Sequence, residues 1–228
     1  MFLRRARWVT DKYILIMLGL FPLFVGFRLH AYTAITRAKF LFFAIATGVW
    51  LAAVLALLLL GAIRGERYDL SLRPAHVAIA VFLAAGALSA LTSEYGDVCL
   101  MGAERYDGYL TTVLYGAIFF GVSLLGTPRR SHAWALGIST AVCCGIAVLQ
   151  LGGLDPFRLY PEGLNYYDKY EAMSAPFLGT IGNVGVLAGY LCLAAPLLVI
   201  YAILSEKRWD NLLLLPGALC LGILAVCD

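Results

Sequence analysis

Long stretches without a single charge limit this chain more than any other feature. They cover residues 13–27, 40–63, 77–93, 109–126, 133–154, 184–204 and 211–227, and no Lys, Arg, Asp or Glu lies inside any of them. A hydrocarbon core of ~30 Å needs roughly 20 apolar residues in helical form. An Arg or Asp at its centre costs about 2.5–3.5 kcal/mol, so the segregation of charge is itself a membrane signal. Run 40–63 is the clearest, with Trp50 and the tetrad Leu57 to Leu60. With 62% apolar and 14% charged residues, the composition excludes an ordinary soluble domain. In lipid every backbone polar group must be satisfied internally, which leaves helices as the form these runs can take. The expectation is an all-α, polytopic transmembrane helix bundle of about seven spans forming one domain over 1–228.

Basic residues orient it. With the N-terminus (Arg4, Arg5, Arg7, Lys12) in the cytoplasm, Arg64, Arg67, Arg73, Arg129, Arg130, Lys207 and Arg208 also fall inside. That places eleven of the 17 basic residues on one side, as the positive-inside rule asks. Segment 28–39 disagrees, because Arg28, Arg37 and Lys39 would face out. Either the first helix does not fully span, or these cations form an external patch for an anionic headgroup or diphosphate. No small-residue cleavage site follows the first apolar run, so a removable signal peptide is not expected. A net charge of +3 reflects the inner-face arginines and does not point to nucleic acid.

The six cysteines lack metal or redox spacing. Cys143, Cys144, Cys192, Cys220 and Cys227 read as small apolar filler within spans, and Cys99 lies outside with no evident partner. Neither a metal nor a cofactor is expected. Gly137, Ala141 and Gly145 recur at every fourth residue, and Ala85 and Ser89 repeat the spacing, which favours close helix approach. Pro22, Pro196 and Pro216 fall inside the expected spans, where kinks are tolerated. Connections 127–132 and 205–210 read as plain basic connectors. Loops 94–108 and 155–183 are longer and hold most of the acids, and the second carries Tyr160, Tyr166, Tyr167 and Tyr170. Those rings fit an interfacial belt and equally a platform for sugar rings.

Two segments combine polar groups with a helix start. In Glu104-Arg105-Tyr106-Asp107-Gly108-Tyr109-Leu110-Thr111, Arg105 is the one cation of an acidic loop. It suits bidentate phosphate binding or a salt bridge to Glu104 or Asp107, and Asp107 also fits a helix N-cap. Gly179-Thr180-Ile181-Gly182-Asn183-Val184-Gly185-Val186-Leu187-Ala188-Gly189-Tyr190 leads from a polar loop into an apolar run. Its glycines permit close backbone approach, and Asn183 reads as a ligand contact or as a cap.

In order and spacing these segments resemble the O-antigen ligase and polymerase family of bacterial multi-pass membrane enzymes. Arg105, Gly108, Leu110 and Thr111 match the family's first motif. Gly182, Asn183, Leu187, Ala188, Tyr190 and Leu191 match the second, while Val184-Gly185 departs from its frequent Pro-Asn. The resemblance covers about residues 90–228. It implies a GT-C-like membrane domain in the bacterial plasma membrane and a metal-independent, inverting glycosyltransferase of cell-envelope polysaccharide biosynthesis. The donor would be a glycan on polyprenyl diphosphate, the acceptor a glycan or lipid-linked sugar. Arg105, Asn183, Tyr190 and Thr180 are the substrate-binding residues it suggests.

The family places a catalytic histidine in a late external loop. His30, His76 and His132 do not match that position, so no catalytic residue is assigned here. The chain is accordingly expected to be an N-terminal fragment, inactive alone. A transporter or flippase component for lipid-linked sugars is the alternative reading.

Overall fold

The structure, a computed structural model, describes residues 1–26, 32–68, 71–102, 106–157, 159, 166–168, 171–173 and 179–227. Helix α1 (Phe2–Gly19) leads through a 3-10 turn (Phe21–Leu23) to α2 (Tyr32–Ile63), α3 (Pro74–Thr92), α4 (Asp97–Met101), α5 (Tyr109–Leu125) and α6 (Arg130–Leu151). Strands β1 (Tyr166–Asp168) and β2 (Glu171–Met173) then precede α7 (Val184–Leu204), a second 3-10 turn (Arg208–Leu213) and α8 (Leu214–Leu224). The strands form an antiparallel hairpin with Tyr166 opposite Met173, inside what the sequence presents as a loop.

Among the described residues four helices are long and apolar enough to cross a membrane: Ile35–Ile63, Pro74–Thr92, Arg130–Leu151 and Val184–Leu204, with α5 shorter at Tyr109–Leu125. The other two expected spans take a different form. The first run lies partly in α1, which starts at Phe2 because hydrogen bonding continues through charged residues that hydropathy excludes. It ends before Pro22, which sits in the 3-10 turn and not inside a helix. The last expected span becomes a helix of 11 residues. Pro216 is its third residue, where no intrahelical donor is lost. Pro196 alone lies well inside a helix, α7. With 32 residues, α2 is about 48 Å long.

The described chain divides into two compact units, 1–14 with 40–128 and 15–39 with 129–228. In the first, α1 runs antiparallel to the end of α2. Phe2 lies against Gly61, Trp50 Nε1 donates to Thr10 Oγ1 (3.1 Å), and the Tyr13 hydroxyl meets Thr47 Oγ1 (2.9 Å). Tyr13 also stacks on Trp50 at 4.3 Å. The missing side chain of Gly121 admits the same indole ring. Helices α3 and α5 pair antiparallel as well. Leu83 fills the space at Gly116, and the Tyr109 hydroxyl donates to the Leu83 carbonyl (2.7 Å). His76 closes the other end. Its Nδ1 accepts from the Arg73 N–H (2.9 Å), which leaves Nε2 to carry the proton toward Ser123 Oγ (2.9 Å).

The second unit packs α6, α7 and α8 around Leu187, Leu191, Leu198 and Leu213, with Cys143, Cys144 and Cys220 fully enclosed. These thiols do act as small core residues, whereas Cys192 is exposed. Lipid offers no hydrophobic drive between helices, so this fit of small against large side chains carries the association. Of the small-residue series only part is used: Leu213 occupies the space above Gly137, while nothing approaches Gly145.

The connector after α7 is more than a plain link. Buried Asp210 accepts from Arg130 Nε (2.7 Å), Trp134 Nε1 (2.8 Å) and Ser205 Oγ (2.6 Å). It thereby ties the start of α6 to the end of α7.

Candidate functional site at two helix entries

The entry to α5 is built from glycine. Gly102 has φ +75°, and a Cβ there would stand 2.6 Å from the Asp107 nitrogen and 2.7 Å from the Gly108 nitrogen. A Cβ on Gly108 would meet the Leu100 carbonyl oxygen at 2.5 Å. The backbones at 100–102 and 107–108 therefore touch. Arg105 and Glu104 lie outside the described residues. Gly108, not Asp107, occupies the N-cap position, and no side chain caps the helix.

Between the two glycines, Tyr106 adopts φ 56°, the one left-handed non-glycine among the described residues. That conformation costs about 1–2 kcal/mol. Two contacts offset it: its ring stacks on Phe40 at 4.5 Å, and its carbonyl accepts from Thr111 Oγ1 (2.6 Å). Thr111 thus fixes the backbone at Tyr106 from within α5.

The entry to α7 is built from side-chain hydrogen bonds. Gly179 (φ +55°) and Gly182 (φ +88°) turn the chain through left-handed backbone. The Gly179 N–H donates to Gln150 Oε1 (2.8 Å). Buried Thr180 donates to the Pro22 carbonyl (2.8 Å), with its hydroxyl 3.3 Å from Cys143 Sγ. The same carbonyl accepts from Lys39 Nζ (2.9 Å), which also binds the Phe21 carbonyl (3.0 Å) and lies 5.2 Å from the Phe21 ring centre.

Asn183 then caps α7, its Oδ1 accepting from the Val186 N–H (3.0 Å). Two turns on, the Tyr190 hydroxyl meets Thr140 Oγ1 (2.7 Å), turned toward α6. Thr180 and Asn183 are therefore neighbours in one rigid turn, with Tyr190 bracing the helix behind them.

Gln150 and Lys39 belong to this junction and are not among the residues singled out as substrate-binding. Their common signal is position: each is a lone strong hydrogen-bonding group beside an apolar run. Lys39 acts inward on carbonyls, while neighbouring Arg37 is exposed and Arg28 lies outside the described residues. Tyr160 and Tyr170 also lie outside them. Cys99 does have a partner, Ser93 Oγ at 2.9 Å. Among the described residues no group of three His, Cys, Asp or Glu is placed to hold a metal ion.

Among the described residues the junction gathers an ammonium, a hydroxyl and an amide on glycine-shaped backbone, each engaged with a backbone group. No family model, curated protein or solved structure matches this chain.

Proposed function

We propose that this chain is part of a membrane glycosyltransferase of the O-antigen ligase and polymerase type, using a glycan on polyprenyl diphosphate. The observation that carries the reading is the α7 entry. A left-handed Gly182 followed by the capping Asn183 opens a helix of membrane-crossing length, at the positions where the sequence matches the family's second motif. A polar, rigid turn at the end of such a helix is where a water-soluble glycan and its lipid tether meet.

In this reading the bundle has about seven spans and a GT-C-like arrangement, sits in the bacterial plasma membrane and has its N-terminus in the cytoplasm. Arg105 neutralises the diphosphate so that it can leave. Thr180 and Tyr190 act by holding the turn and the helix, and Asn183 faces the donor.

The test uses the full-length protein in membranes supplied with lipid-linked glycan. Arg105→Ala abolishes transfer while insertion persists; normal transfer reduces Arg105 to a structural residue. Asn183→Asp separates capping from binding, because Asp caps as well as Asn yet repels a diphosphate. Unchanged melting with reduced transfer is expected. Unchanged transfer would remove Asn183 from the site. Labelling of Cys99 by an impermeant thiol reagent on intact cells checks the sidedness.

A further inference from the structure

We propose that the end of the first unit where α1 begins and α2 stops is a binding site for the phosphate headgroup of an anionic phospholipid, with Arg5 and Arg64 as its clamp. The two guanidiniums come from residues far apart in sequence and converge on one ring. Arg5 Cζ lies 6.0 Å and Arg64 Cζ 5.0 Å from the centre of Phe2. They are thus within about 11 Å of each other, close to the Debye length of ~8–10 Å at 0.1–0.15 M salt, and repel each other. The nearby carboxylate does not relieve them. Glu66 is taken by the Met1 amino group and by the Phe2 N–H (3.0 and 3.1 Å). That first contact, with the amino group, holds its carboxyl below the usual carboxylate range. Arg4, Arg5, Arg7, Arg64 and Arg67 are all exposed. The cluster carries an excess of positive charge directed outward, with guanidinium forks suited to phosphate oxygens.

Its apolar surroundings select a lipid over a free anion. Arg64 directly follows Ile63, the last residue of a span candidate. Ile63 is 81% and Trp8 59% exposed. Trp8 lies one turn from Arg4 and Arg5, on the same face of α1. An inorganic anion gives these side chains nothing to contact. A phospholipid supplies phosphate for the arginines and acyl chain or glycerol surface for Trp8 and Ile63, the arrangement of an interfacial anchor.

The experiment purifies the full chain from mixed phosphatidylcholine and phosphatidylglycerol nanodiscs and measures the lipid retained. Phosphatidylglycerol enriched over phosphatidylcholine is expected. Trp8 emission, taken as the difference from Trp8→Phe, should be quenched preferentially by brominated phosphatidylglycerol. Removing each charge should lower the enrichment about fivefold, so Arg5→Gln with Arg64→Gln nearly abolishes it, and Arg208→Gln leaves it unchanged. If the Gln pair unfolds, Arg5→Lys with Arg64→Lys replaces it. That pair keeps the charge but not the fork, and should keep part of the enrichment. Equal retention of both lipids, an unaffected folded Gln pair or complete loss in the Lys pair overturns the proposal. Displacement of the lipid by millimolar inorganic phosphate overturns it in favour of a small-anion site.

Discussion

The entries to α5 and α7 do the same task by opposite means. Each brings a loop into an apolar helix at a turn that requires left-handed backbone. At α5 the turn is held by what is missing: Gly102 and Gly108 let two backbones touch, and no side chain caps the helix. At α7 it is held by what is present: Thr180, Gln150, Lys39 and Asn183 each satisfy a backbone group. The polar strategy extends to the exit of α7, where Asp210 collects three donors. A glycine pinch tolerates no added atom, whereas a hydrogen-bonded turn loses stability in increments. The first rests on a single close approach, the second on several separate hydrogen bonds.

The largest effect is expected at the α7 exit. Asp210→Ala removes the shared acceptor of Arg130, Trp134 and Ser205 and should lower the thermal midpoint in detergent by about 5 °C or more. Asp210→Asn keeps acceptors and should lose less. The hydrogen bond from Ser205, supported by Trp134 and Arg130, holds the Asp210 carboxyl down at about 2. An unfolded Asp titrates near ~3.9. Because the folded value is depressed, the contribution is complete above about pH 4 and disappears as the pH falls toward 2. Melting profiles across that window test the sign, and Asp210→Ala should flatten them.

Next comes the pinch. Gly108→Ala drives a methyl group into backbone atoms that no rotamer change can move, so a cost near 3 kcal/mol is expected, the upper end for overpacking. Urea unfolding of the full chain measures it. A cost below about 1 kcal/mol would show that the loop adjusts and would end the contrast with α7.

Smaller steps belong to the α7 entry. Thr180→Val and Asn183→Ala should each cost about 1 kcal/mol, because Lys39 still serves the Pro22 carbonyl and the cap is one bond. Tyr190→Phe should cost about 0.5–1.5 kcal/mol through Thr140. Gly145→Ala, with open space around it, should be neutral or gain up to about 1 kcal/mol in helix propensity.

Hydropathy located the middle of the membrane helices well because charge placement in lipid is so costly. It placed their ends less well, since insertion energy and helical hydrogen bonding stop at different residues. Arg37 and Lys39 looked like the border of a span, yet α2 continues past both, and Lys39 folds back onto the Phe21 and Pro22 carbonyls. Local chemistry is readable from the turn residues: Asn183 caps α7, and Gly179 and Gly182 before it carry positive φ. Tertiary pairings were not. Arg130 and Asp210 are 80 residues apart and Thr180 and Pro22 are 158 apart, and no local pattern announces either. Asp210 lies in a connector beside Lys207 and Arg208, which conceals its role as the acceptor for Arg130, Trp134 and Ser205.

The Pro22 carbonyl also sets an order of events during synthesis. It takes a hydrogen bond from Lys39 and another from Thr180, which is made 158 residues after it. At about 5–20 residues per second, translation separates those two partners from the proline by a few seconds and by roughly 10–30 seconds respectively. For most of that interval Lys39 is the only one of these two partners that exists. Of the two bonds to that carbonyl, the lysine's is thus the first that can form, and the threonine's comes last.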